Sequence, residues 1–260
     1  MFCSILKDDH IMLLIADRLL SFFVENFPSL EMMIIYGPLG LGWAYLCLFF
    51  AGYLKQKKAL KTGYTRKIFH ILIFMSVVLL QIVRGTAHVC LFGGLTTVVI
   101  FYAVFRGEGH LLYEAIARET DAPQRTNFII IPYFATLFGG ITSNILFGQA
   151  AIIGYLVTGL GDAVGEPVGT RFGKHTYRVL SFRGVPCVRS YEGSLAVLLV
   201  SIIAISLGIV GSQALVFTST SIITIPVLGG LCMLIEAFSP HGWDNATMQI
   251  LPSGVACLFM

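Results

Sequence analysis

Runs of apolar residues, several of them near the ~20 residues that carry a helix across a bilayer, constrain this chain most. They lie at about 32–53, 68–83, 88–105, 127–147, 149–169, 193–210, 214–235 and 246–260. Charged residues make up only 12% of the 260 residues, against about 25% in a soluble domain. Such a chain buries apolar surface in lipid as well as in itself. The expected fold is all-α, a polytopic transmembrane helical bundle of about 7–8 spans. Residues 1–30 are expected to form an N-terminal interfacial segment. Within it, Leu13, Leu14, Leu20, Phe23 and Val24 alternate with charges as in an amphipathic helix lying on the membrane. Residues 31–260 then make a single transmembrane catalytic domain. No basic start followed by a small-residue cleavage site marks a signal peptide.

The net charge of +3 is too small to argue for a nucleic-acid partner. The position of the charge says more. Alternating the spans puts loops 54–67, 106–125, 170–191 and 236–245 on one side. Those loops hold 14 of the 17 Lys and Arg, leaving Lys7, Arg18 and Arg84 elsewhere. By the positive-inside rule that side is cytoplasmic. The six cysteines form no CxxC pair and read as small buried hydrophobes.

One stretch breaks the apolar pattern in a patterned way. Residues 159–194 hold three acids, seven glycines and five Lys or Arg, ending in Ser190-Tyr191-Glu192-Gly193-Ser194. Ionisable residues at the end of a membrane segment point to a functional site. Asp162 and Glu166 are four apart, so on a helix they share a face with Cβ atoms roughly 5–6 Å apart. Two carboxylates that close suit a hard cation such as Mg²⁺, completed by phosphate and water. Pro167 is expected to kink or break the helix there. Gly161, Gly165, Gly169 and Gly173 recur every four residues, either for close helix packing or, at Gly169 and Gly173, to bare backbone N–H groups to phosphate. Arg171, Lys174 and Arg189 fit a polyphosphate clamp, while Arg178 and Arg183 read as loop charge. Glu192 either opens a capped helix behind Ser190 or faces Asp162 as a ligand or general base. Three further groups flank spans on the same side: Arg66, Lys67 and His70; Asp121 and Asn127; His241, Asp244 and Asn245.

With Gly161-Asp162-Ala163, Gly169-Thr170-Arg171-Phe172-Gly173-Lys174 and Arg189-Ser190-Tyr191-Glu192-Gly193-Ser194 in order, the chain resembles the CTP-dependent lipid kinases. That group includes dolichol kinase, phytol kinase and the CTP-using diacylglycerol kinase, and is similar to the phosphatidate cytidylyltransferases. Arg66-Lys67-Ile68-Phe69-His70 and Glu236…Asp244-Asn245 also look like it, so the resemblance covers roughly residues 64–250. It implies an integral membrane enzyme with CTP as donor, Mg²⁺ as cofactor and a membrane lipid alcohol as acceptor, its site facing the cytoplasm. It implies Asp162 as principal metal ligand and Gly169, Arg171, Gly173 and Lys174 in the nucleotide-binding stretch. Ser190, Glu192 and Gly193 would close the site. The cytidylyltransferases carry a Ser-Pro-Lys-Lys-type sequence before Glu-Gly, where this chain has Val188-Arg189-Ser190-Tyr191, which favours the kinase branch. Glu166 as a second ligand rests on helix geometry alone. Two competing readings are a cytidylyltransferase that makes a CDP-lipid, and an anion or lipid transporter built on a broken helix.

Overall fold

A computed structural model describes residues 16–181, 187–212, 217 and 221–259. Arg183, expected as loop charge, and residues 10–15 of the interfacial segment lie outside these. Helix α1 covers residues 16–26. The long helices are α2 (Leu30–Lys58), α3 (Thr62–Arg84), α4 (Thr86–Arg106), α6 (Asn127–Phe147), α9 (Tyr191–Gly211), α10 (Ser221–Phe238) and α11 (Asp244–Phe259). A short helix, α5 (Leu111–Ile116), sits in the α4–α6 connection, where the apolar spacing of Leu111, Leu112, Ala115 and Ile116 predicts it. Two further pieces, α7 (Ala151–Leu156) and α8 (Ala163–Phe172), follow α6. The protein is thus an all-α membrane bundle with a single small hairpin among the described residues.

Among the described residues, six helical runs are long and apolar enough to cross a membrane. The fourth, Asn127–Phe172, is 46 residues long, about 69 Å if straight and over twice the hydrocarbon thickness. Gly148, at φ 52°, turns the chain within it, so α6 and the α7–α8 run serve as two spans. Helix α11 has 16 residues. It is short for a span yet packed inside the bundle, with Met248, Gln249 and Ser253 wholly buried.

The helix ends follow local chemistry. Ser29 Oγ caps α2 by accepting from the Met32 amide, Glu31 sits in its first turn and Lys55, Lys57 and Lys58 in its last. The core falls into two clusters, one around Leu48, Phe92 and Tyr113, the other around Ile153, Val197 and Leu228; Val77 and Leu80 of α3 touch both.

The break expected at Pro167 lies elsewhere. Helix α8 runs through Pro167, and the irregularity is a π-helical turn, Val157–Asp162, immediately before it. A π turn inserts one extra residue into the helix and so re-aims the side chains around it, which is why such turns gather at functional sites. The basic loop that follows forms an antiparallel hairpin, β1 (Thr176–Val179) and β2 (Cys187–Ser190), with Thr176 opposite Ser190 and Val179 opposite Cys187. The glycine row is used in packing. A Cβ on Gly165 would stand 3.0 Å from Val197, and one on Gly169 2.8 Å from Ser190 Oγ. The row therefore seats α8 against α9 at backbone distance. The Gly173 amide donates to the Gly169 carbonyl, so it is not bared toward a phosphate.

Candidate active site

The π turn and α8 present Asp162, Gly165, Glu166 and Thr170 at i, i+3, i+4 and i+8, one face of a helix. That face walls a cavity of about 360 Å³. Opposite stand Arg66 and Lys67 from α3, Arg118 and Asp121 from the α5–α6 connection, Arg189 from β2, Glu236 from α10, and His241 and Asp244 from the α10–α11 turn. Segments far apart in sequence converge here because the same-side loops share one end of the bundle.

Their geometry is a set of linked ion pairs. Lys67 Nζ donates to Asp162 Oδ2 at 2.7 Å, with both side chains under a tenth exposed. His70, one turn on from Lys67, has Nε2 at 2.9 Å from the Thr158 carbonyl, so that nitrogen carries the proton and donates. Glu166 has both oxygens engaged, Oε2 by Arg66 at 2.7 Å and Oε1 by Arg118 at 3.2 Å. Arg118 also donates from Nε to Asp121 Oδ2 at 2.9 Å. Arg189 spans Glu236 Oε1 and Asp244 Oδ2, each at 2.9 Å. Removing one partner of such a buried pair strands the other, at a cost of about 3–5 kcal/mol.

The loop that delivers Arg118 is itself pinned. Lys55 reaches Glu119 at 2.6 Å and the Glu114 carbonyl at 2.8 Å, and Arg125 holds Glu114 at 2.7 Å. On the loops, outside the spans, the electrostatics have definite directions. Burial pushes the Asp121 carboxyl upward, but His241 and the Arg118 guanidinium outweigh it and hold the group below the usual carboxylate range. Burial lowers His241, and Arg118 lowers it further against the pull of Asp121. Arg118 Nη2 lies 2.5 Å from His241 Nε2, while Asp121 Oδ1 lies 3.5 Å from the same nitrogen. One ring nitrogen cannot accept from Arg118 and donate to Asp121 at once. The shorter contact belongs to a neutral ring whose Nε2 accepts from Arg118, the longer one to a ring whose Nε2 donates to Asp121 and lowers the pKa of that carboxyl.

Three polar atoms on the cavity walls are buried without a partner among the described residues: Arg66 Nε, Arg189 Nη1 and Glu236 Oε2. The two guanidinium N–H groups suit an anionic oxygen. Among the described residues no group of three His, Cys, Asp or Glu makes a metal site by itself. The four cations Arg66, Lys67, Arg118 and Arg189 face five carboxylates, Asp121, Asp162, Glu166, Glu236 and Asp244. Each of these cations is already paired with a carboxylate, so the wall offers a bare polyphosphate little net attraction. Asp162 and Glu236 each keep one oxygen free of a cation. This donor set fits a Mg²⁺ that arrives with phosphate and is shared with it.

Of the residues singled out from sequence, Arg66, Lys67, Asp121, Asp162, Gly165, Glu166, Arg189, Ser190, Gly193, His241 and Asp244 line the cavity. His70 lies immediately behind Asp162, at 3.8 Å. Others do not reach it. Glu192 turns outward to His175, whose amide and Nδ1 it meets at 3.3 and 3.0 Å. It therefore does not lie across from Asp162. Arg171 and Lys174 are exposed outside the wall, Arg171 because it is turned about 100° from Thr170 and Lys174 because it lies beyond the end of α8. The Asn127 amide donates to Gln124, and Asn245 ties α11 to Thr136 of α6 at 2.8 Å. Among the polar wall residues, Arg118 and Thr120 were not sequence candidates, and Glu236 entered only through the resemblance.

No family model matches the chain, and no solved structure matches it. The phytol kinase of Synechocystis sp. is 31% identical to it over 128 residues, 45% of this chain and 51% of that protein. The chain thus spans about half the length of the curated relative it matches.

Proposed function

We propose that this protein is an integral-membrane lipid kinase that transfers the terminal phosphate of CTP to the hydroxyl of a lipid alcohol at the cytoplasmic face. The observation that carries the reading is the buried Lys67–Asp162 pair at a π turn, set in a cavity walled by three further guanidinium groups. Similarity to a phytol kinase supports the same reaction class. The side that bears 14 of the 17 Lys and Arg also bears this cavity, which supports a cytoplasmic site.

Phosphoryl transfer asks a protein chiefly for positioning and charge stabilisation. Arg66 and Arg189, each with an unpartnered N–H, bind phosphate oxygens; Lys67 supplies a point charge beside them. Glu166, with both oxygens occupied, positions Arg66 and Arg118 and does not serve as the base. Asp162 keeps one oxygen free to orient the alcohol and take its proton. The alcohol oxygen bonds to the terminal phosphorus as the bridging oxygen departs with CDP. When bound, Mg²⁺ would supply neutralisation of the phosphate charge, and the unpartnered Glu236 Oε2 is the oxygen that would hold it.

The decisive experiment incubates purified protein in detergent with radiolabelled CTP and a panel of lipid alcohols, diacylglycerol and phosphatidate. The expected result is a phosphorylated alcohol and CDP, and loss of both in Asp162→Asn assayed at a temperature where that variant, weakened by the stranded Lys67, is still folded. Pyrophosphate and a CDP-lipid from phosphatidate would replace this reading with a cytidylyltransferase. Solute uptake into sealed vesicles without nucleotide turnover would replace it with a transporter.

A further inference from the structure

A second cavity, of about 400 Å³, lies in the bundle behind the first. Helices α3 and α4 form one side, α6, α7 and α11 the other, and Phe22, Phe23 and Phe27 close its far end. Its walls are almost wholly hydrocarbon and aromatic.

Two helices run from one cavity to the other. On α3, Lys67 faces the polar cavity and Phe74 the apolar one, seven residues or about 10 Å apart. On the α7–π-turn run, Asp162 and Tyr155 stand in the same relation. Between Lys67 and Phe74 on α3 stands His70, bonded to the Thr158 carbonyl, its ring centroid 4.5 Å from that of Phe74. The far end is polar. Asn144 donates to the Gly140 carbonyl at 2.9 Å and to the Tyr155 hydroxyl, and Gln249 donates to the Thr136 carbonyl at 3.1 Å. From Tyr133 to Asn144 along α6 the cavity is about 16 Å deep.

We propose that this cavity holds the tail of the acceptor, and that the acceptor is therefore a single-chain alcohol of limited length, with its hydroxyl passing His70 to meet Asp162. The proposal rests on the kinase reading. A volume of about 400 Å³ is at the small end of the ~300–1,000 Å³ that encloses one ligand. One chain fits; the paired acyl chains of a diacylglycerol, or a long polyprenol, do not. The polar floor at Asn144 and Gln249 and the aromatic lid of α1 bound the tail, since hydrocarbon gains nothing against unpartnered amide oxygens. Both Asn144 Oδ1 and Gln249 Oε1 are such oxygens.

Gly93 gives a clean test. It lines the cavity, and a Cβ there meets only Leu137 Cδ2, at 3.8 Å, so a larger side chain enters open space. Isoprenoid alcohols of increasing length would be assayed with the wild type, Gly93→Leu, and Gly93→Leu combined with Leu137→Ala. In Gly93→Leu the KM for the longer alcohols should rise roughly tenfold or more while that for the shortest stays within about twofold, and Leu137→Ala should restore the longer ones. In parallel, a single-chain alcohol with a photoreactive tail would be crosslinked to the protein in detergent without nucleotide. Labels are expected on Phe74 and Tyr133. Equal loss for every length, labels only on the outer surface, or diacylglycerol turned over as well as single-chain alcohols would each overturn the proposal. Labelling inside the cavity with no phosphorylated product from any nucleotide would instead overturn the kinase reading and leave the tail site standing.

Discussion

The two cavities are nearly equal in volume, about 360 and 400 Å³, and opposite in kind. The first is built from charged side chains delivered by elements distant in sequence, each held by a partner of opposite sign. The second is built from apolar side chains of neighbouring helices and owes its form to packing alone. A charged wall inside a membrane protein survives only where charges are paired or face a polar space, so its geometry is set by pairs. An apolar wall is tolerant of single changes, because volume-conserving swaps cost little. Chemistry is therefore concentrated at one end of the bundle and shape at the other. Substitutions should separate them: changes in the charged wall strike turnover with every acceptor, and changes in the apolar wall strike only acceptors long enough to reach it.

The largest effect is expected at Lys67. Lys67→Met leaves Asp162 buried with no cation on Oδ2, a loss of about 3–5 kcal/mol for a broken buried pair. Thermal unfolding in detergent should show it, and activity should vanish. Removing both charges in Lys67→Met/Asp162→Leu should return most of the stability, since apolar replacements of buried pairs are often neutral, and none of the activity. A double variant that is both stable and active would remove the pair from catalysis.

Arg189 comes next. Arg189→Lys keeps the charge but cannot span Glu236 and Asp244, whose accepting oxygens are each 2.9 Å from a different guanidinium nitrogen. Activity should fall on the order of 100-fold, the scale of losing one preorganised electrostatic contact, for short and long alcohols alike. A loss limited to long alcohols would erase the functional distinction between the two cavities.

A smaller effect distinguishes the loop charges by pH. The folded state holds His241 neutral, with its pKa below the ordinary 6.5, so protonation opposes folding. Stability should thus decline as pH falls below about 6.5 toward that lowered value. The depressed Asp121 carboxyl contributes in full above its unfolded value of about 3.9 and is lost at more acid pH, as the pH falls through its folded value. Both act in one direction, and His241 acts first. Melting temperatures of wild type and His241→Gln, compared between about pH 7 and about pH 5, should show the wild type losing stability faster. Parallel curves would assign the acid sensitivity elsewhere.

How legible each cavity was from sequence follows from the same contrast. Apolar runs and their breaks carry the bundle, because span length and hydropathy are local properties. Asp162, Lys67 and Arg66 could be picked out because each interrupts or opens such a run. Arg118 could not, since it lies in a connection already rich in charge with no periodic setting; only the pooling of same-side loops hinted at it. Glu236 reads in sequence as the end of a span and becomes part of the wall only once α10 packs beside Gly165, where an added Cβ would stand 3.8 Å from Glu236 Oε1. The Gly-Thr-Arg-Phe-Gly-Lys stretch misled in the other direction. Its spacing serves α8–α9 packing, and the same helical rotation that turns Thr170 inward turns Arg171 out. The apolar cavity had no sequence signature, because lining it and facing lipid require the same residue types.

The smallest effects are expected from Arg171, Lys174 and Glu192. All three lie outside the wall, Arg171 stacked on its neighbour Phe172 at 5.3 Å and Glu192 engaged with His175. The two basic side chains still raise the local potential over the mouth of a cavity whose own cations are all paired with carboxylates. Their contribution should appear in nucleotide capture, screened over a Debye length of about 8 Å at physiological salt. Arg171→Ala/Lys174→Ala should therefore raise the KM for CTP a few-fold at low salt, with kcat unchanged and the difference fading as salt is added. Glu192→Gln should leave both parameters within about twofold, since ion pairs at the surface contribute little. A salt-independent loss of kcat in the double variant would place these side chains on the bound nucleotide itself and move the boundary of the charged cavity out to the end of α8.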